Sequence, residues 1–168
     1  MRHVMKLVRN CLLGLVGVCC LLTNCTVESE CRQDYTARLQ VVLQVDSVTS
    51  SNDTIRQEGL DSIRLWGAGK DSLWLNNQKN VSSLSLPLRV DTTCTEYVFA
   101  LGDSGEEHFY IYHQNNPTFV SLACGCFVYY TIDSITCDGR WIDKIEILNA
   151  QVENVGQDNA RFHITLKP

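Results

Sequence analysis

The chain has 168 residues, 45% of them hydrophobic and 20% charged, which is enough apolar material for one domain with a real core. Its 14 basic and 19 acidic residues give a net charge of −5. An acidic balance of this kind repels phosphate backbones and argues against nucleic acid as a partner. Only three prolines occur, and no charge block or internal repeat is evident.

The amino-terminal segment opens with Arg2, Lys6 and Arg9, followed by an apolar core from Cys11 to Leu22. That core is shorter than the roughly 20 residues needed to span a bilayer, and it has the length of a signal peptide. It closes on Leu22-Thr23-Asn24-Cys25, built like a bacterial lipoprotein signal, although Asn24 stands where a small residue is usual. The expectation is a signal peptide over residues 1–24, lipid attachment at Cys25, a lipidated tether over 25–34 and one domain over 35–168. Cleavage would remove three of the 14 basic residues and no acidic one, leaving 11 against 19, a net charge of −8. The early acidic residues Glu28 and Glu30 read as solubilising charge or as an export tag. A cell-envelope location follows, on the outer membrane, through a lipid anchor.

From Tyr35 the pattern alternates, with Tyr35, Ala37, Leu39, Val41, Leu43 and Val45 on one side of an extended strand. Ser47 to Gly59 is polar and reads as a loop. Ile63 and Leu65 alternate up to the turn-rich Gly67–Asp71, Leu73-Trp74-Leu75 follows, and Asn76–Asn80 is another turn candidate. Leu84, Leu86, Leu88 and Val90 alternate next, then Tyr97, Phe99 and Leu101 up to a turn at Gly102–Gly105. Phe109, Ile111 and His113 share one face, with His108, Tyr110 and Tyr112 opposite. Asn115-Asn116-Pro117 reads as punctuation, Cys126–Ile135 as a strand, and Asp138-Gly139 as a tight turn. Ile142, Ile145 and Ile147 follow, and Arg161–Leu166 closes the chain as a strand. With no sustained helical period, the expected fold is all-β: an antiparallel β-sandwich, Ig-like in general architecture, of seven to nine strands.

Several short features together resemble an uncharacterised family of small β-rich lipoproteins from Bacteroides-type bacteria. They are Cys25 with Cys31 close behind, the opening strand, and Leu86-Pro87-Leu88. Ser121-x-x-Cys124-Gly125 and the stretch from Ile142-Asp143 through Ile145 and Ile147 to Asn149 complete the set. The resemblance implies an envelope lipoprotein with no catalytic residues to carry over.

Beyond the signal and anchor, five cysteines remain: Cys31, Cys94, Cys124, Cys126 and Cys137. An exported chain permits disulfides, and an odd number leaves at least one thiol over. Cys31 with Cys124 is the favoured pair, because it would pin the end of the tether to the sheet. Cys124 and Cys126 would sit at the edge of disulfide reach on one extended strand. The sharper alternative is zinc held by Cys124, Cys126, Cys137 and His113, but the paired knuckle spacing of structural zinc sites is missing. No metal and no other cofactor is expected.

Trp66, Trp74 and Trp141 with Tyr110, Tyr112, Tyr129 and Tyr130 suggest either ordinary sheet packing or a platform for sugar rings. Tyr110 and Tyr112 beside His108 form the candidate ligand-contact face. No catalytic residue is assigned: Ser104 lies in a turn, and the adjacent Glu106 and Glu107 diverge on a strand. The sequence thus leads to a non-enzymatic, lipid-anchored binding or scaffolding module. Its candidate partners are the membrane and another envelope protein or a glycan. The alternatives are carbohydrate capture for an outer-membrane uptake system and a subunit of a surface assembly.

Overall fold

Alternation in the sequence becomes alternation in space along β1 (Arg38–Val48). Ala37, Leu39, Val41, Leu43 and Val45 are buried, while Arg38, Gln40, Val42 and Gln44 turn to the other side and stay half-exposed. The computed structural model describes residues 36–48, 54–57, 59–70, 72–102, 105–122, 124–154 and 156–166. The expected signal peptide, Cys25, Cys31 and the tether lie outside the described residues.

After β1 come β2 (Thr54–Gln57), β3 (Ile63–Gly67), β4 (Leu73–Gln78), β5 (Ser83–Pro87) and β6 (Cys94–Leu101). The long strands β7 (Glu106–Ser121) and β8 (Gly125–Cys137) follow, then β9 (Ile142–Ile147), β10 (Gln151–Val152) and β11 (Ala160–Leu166). One sheet runs β2-β1-β11-β9, with β5 also paired to β1, and the other runs β10-β8-β7-β6-β3-β4. The two pack together as a β-sandwich. Phe109 of β7 meets Phe162 of β11 edge-on across the interior, with ring centroids 5.4 Å apart. Burying a ring of this size contributes roughly 1.5–3 kcal/mol.

Four details differ from the expectation. The described residues hold eleven strands rather than seven to nine, because β2 lies within the polar 47–59 stretch and β10 has only two residues. Elements that short carry no readable period. β1 and β11 run parallel, with Val41 opposite Ala160 and Ser47 opposite Leu166, so the sandwich is not antiparallel throughout. Their partners are remote in sequence, and alternation reads the same in either chain direction.

The third difference concerns Asn115-Asn116-Pro117, which does not end a strand: β7 passes straight through it, and Pro117 sits opposite Val128 of β8. β6 accompanies β7 only as far as Tyr112, so among the described residues no strand flanks the second side of β7 at Pro117. A missing amide proton there disturbs no ladder bond. Likewise Asn76 and Asn77 belong to β4, and the chain turns only beyond Gln78, with Asn77 and Asn80 at positive φ.

Candidate functional site

Two buried polar groups of the six-stranded sheet are structural. His113 is fully buried between sheet and loop. Asn115 donates its amide to the carbonyls of Val90 (3.0 Å) and Thr92 (2.9 Å), which turns its Oδ1 towards His113 Nδ1 at 2.8 Å. Nδ1 therefore carries the proton. Nε2 accepts from the Thr95 hydroxyl at 2.9 Å, and that hydroxyl accepts in turn from the Arg89 amide at 2.9 Å. Burial holds the His113 pKa below its ordinary value, so the ring is neutral. With both ring nitrogens occupied, His113 has no lone pair left for a metal.

Glu107 is the second such group, which the sequence raised only as the neighbour of Glu106 and without a structural role. Its carboxylate is fully buried and accepts hydrogen bonds from four successive amides: Gly139 (3.0 Å), Arg140 (3.2 Å), Trp141 (2.9 Å) and Ile142 (3.2 Å). It thereby shapes the crossing from β8 to β9, which passes from one sheet to the other. The sequence did hold a signal, since Glu107 shares the parity of Phe109, Ile111 and His113. Glu106 points the opposite way and is exposed, so the two carboxylates diverge as expected.

The outer face of the same sheet carries the predicted ligand-contact residues. Tyr110 and Tyr112 alternate with the buried Phe109 and Ile111, and Tyr112 is exposed. His108 Nδ1 lies 2.7 Å from Glu96 Oε1 on neighbouring β6, where both side chains are partly exposed. In register, Glu96 faces Tyr110 and Cys94 faces Tyr112. Partial burial and then the nearby Glu96 and Asp138 carboxylates raise the Tyr110 pKa. The structure thus brings His108, Tyr110, Tyr112 and Glu96 onto one surface. Glu96 is the member that the sequence reading missed.

Beside this surface a cleft of about 330 Å³ opens, with Trp74, Leu88, Arg89, Cys94, Glu96 and Tyr97 among its walls. Trp74 is 45% exposed on the outermost strand, with the Arg38 guanidinium 5.3 Å from its ring centre. Trp66 and Trp141 are half-buried, and Trp141 packs edge-on against Phe99. Neither Tyr129 nor Tyr130 is exposed, although facing opposite ways should leave one of them so: Tyr129 packs half-buried against the core, and Tyr130 is buried with its hydroxyl donating to the Leu88 carbonyl.

Of the described cysteines, Cys94, Cys126 and Cys137 are free thiols, and Cys124 is disulfide-bonded. The thiolate set expected of the zinc alternative is therefore not assembled. Among the described residues no three His, Cys, Asp or Glu side chains come together as a metal site. The expected Cys31–Cys124 pair has its first member outside the described residues. His163 Nε2 lies 3.4 Å from Glu146 Oε2 at the half-exposed edge of the other sheet.

Fold and surface together define a two-sheet β domain with a polar-aromatic outer face and a small adjoining cleft. The chain belongs to a family of unknown function, DUF6452, whose model matches residues 62–165. No curated protein and no solved structure matches it.

Proposed function

We propose that this is a lipid-anchored envelope protein acting as a non-enzymatic binding module, with the outer face of the six-stranded sheet as its contact surface. The observation that supports it most is the partition of polar groups. The buried histidine and carboxylate are consumed by internal hydrogen bonds, whereas Glu96, His108, Tyr110 and Tyr112 are gathered on one accessible face. Tyrosine and histidine side chains present broad apolar bodies with polar tips, the composition of contact surfaces rather than of solvated ones. Anchoring through Cys25 would raise the local concentration of such a face at the membrane. In this reading Cys31 is the disulfide partner of Cys124.

A photo-crosslinking residue placed at Tyr112 in the full-length protein tests the contact surface, with Ile147 as an exposed control on the other sheet. The reading expects a discrete adduct from position 112, absent from position 147 and lost when Cys25→Ser releases the protein from the membrane. Equal crosslinking from both positions would overturn it.

The cleft beside Trp74 favours a second reading, capture of a glycan. Its exposed indole, apolar floor and charged rim have the make-up of a sugar subsite. Trp74→Ala would then abolish oligosaccharide binding in calorimetry while leaving the fold intact.

A further inference from the structure

We propose that the paired ends of β7 and β8 form a membrane-contacting arm, with Phe119 and Leu122 entering the interfacial zone of a phospholipid bilayer. This rests on the reading that Cys25 carries the lipid, and says which part of the domain then meets the membrane.

The first support is composition. From Gln114 to Ile132 the chain has no Asp, Glu, Lys or Arg over 19 residues, in a protein with 19 acidic residues overall. Most of that stretch forms the arm, whose base packs Val128, Tyr129, Tyr130 and Ile132 against the core. β6 leaves β7 at Tyr112, and β10 flanks β8 only at Tyr130 and Thr131. Between Asn116 and Tyr129 the two strands pair only with each other among the described residues. Phe119 is 60% exposed and Leu122 98% exposed near the tip. Single exposed apolar side chains are ordinary, but here they crown a ribbon stripped of charge.

The second support is position. Gln40 near the start of β1 donates its amide to Asn159, whose side chain donates to the Gln151 carbonyl, and Gln151 pairs with Thr131 at the root of the arm. The Tyr130 hydroxyl bonds Leu88, next to Pro87, the partner of Arg38. The arm therefore leaves the sandwich at the end where β1 begins, the end from which the chain leads back to Cys25. Cys25 and Arg38 are 13 positions apart, which spans at most about 45 Å when fully extended. The arm runs five steps from Asn116 to Ser121, roughly 17 Å at strand spacing. The Cys31–Cys124 bridge of the proposed reading shortens that tether to the six positions from Cys25 to Cys31, at most about 20 Å, which keeps the tip of the arm close to the surface. An acidic domain is repelled by anionic headgroups, and an uncharged arm with apolar tips is the part that can enter them.

The test uses the full-length lipidated protein in phosphatidylethanolamine–phosphatidylglycerol vesicles, with Leu122→Trp as reporter and Glu106→Trp, at the opposite end of β7, as control. Intact mass establishes the lipid on Cys25 in each sample. The expected result is that bromine-labelled acyl chains quench most of the emission added by L122W and none of that added by E106W. Equal quenching of the two in lipid-bearing protein overturns the arm. So does an L122W probe that stays unquenched in pure lipid yet shifts to the blue in native membranes, which would mark a protein partner. Absence of lipid on Cys25 fails the anchoring reading itself, and the arm with it.

Discussion

Glu107 and Trp141 are 34 residues apart, yet the Glu107 Oε2 atom accepts the Trp141 amide at 2.9 Å inside the sandwich. One side chain on β7 thereby fixes where the chain crosses from one sheet to the other. Three neighbouring amides depend on the same carboxylate.

Replacing that group should be among the costliest single changes in the domain. Glu107→Ala leaves four amides without an acceptor, and a loss of about 3–5 kcal/mol is expected. Glu107→Gln keeps the shape but turns a donor towards donors, and should recover only part of it. Urea unfolding of the two variants beside the parent checks the order.

The His113 network predicts a pH dependence. Its pKa is lowered in the fold, so below the ordinary value of about 6.5 the unfolded chain takes up a proton that the folded chain refuses. This contribution is complete above that value and declines as the pH falls towards the lowered one. His113→Gln should flatten the change in urea midpoint between pH 7.5 and 5.5 relative to the parent. An unchanged slope would show that the ring titrates freely.

Gly59 offers a steric test. A Cβ at that position would lie 2.8 Å from the backbone carbonyl carbon of Asn80, where Leu60 and Val81 form a bridge between loops. Backbone cannot move aside as a flexible side chain does. Gly59→Ala is expected to cost about 1–3 kcal/mol, read as a lower thermal midpoint.

The free thiols should differ in reactivity. Cys126 is exposed, whereas burial raises the pKa of Cys94 and of Cys137, with Glu96 and Glu107 respectively adding to it. Alkylation of the native protein at pH 8 should label Cys126 first, followed by mass spectrometry of peptides. Faster labelling of Cys137 would mean that its strand opens readily.

What the sequence by itself determined is the fold class and the facing of side chains. Period-two alternation placed Phe109, Ile111 and His113 inside and Tyr110 and Tyr112 outside, because burial is decided locally along each strand. Only the tertiary structure decided which strands are neighbours. The parallel pairing of β1 with β11, the meeting of Glu96 with His108, and the dependence of residues 139–142 on Glu107 all join distant positions. The run through Pro117 belongs with them, since a proline breaks a strand only where a neighbour needs its missing proton, and among the described residues the assembled sheet puts no such neighbour beside it. Local alternation is written residue by residue, whereas pairing is chosen among whole strands by the core they jointly enclose.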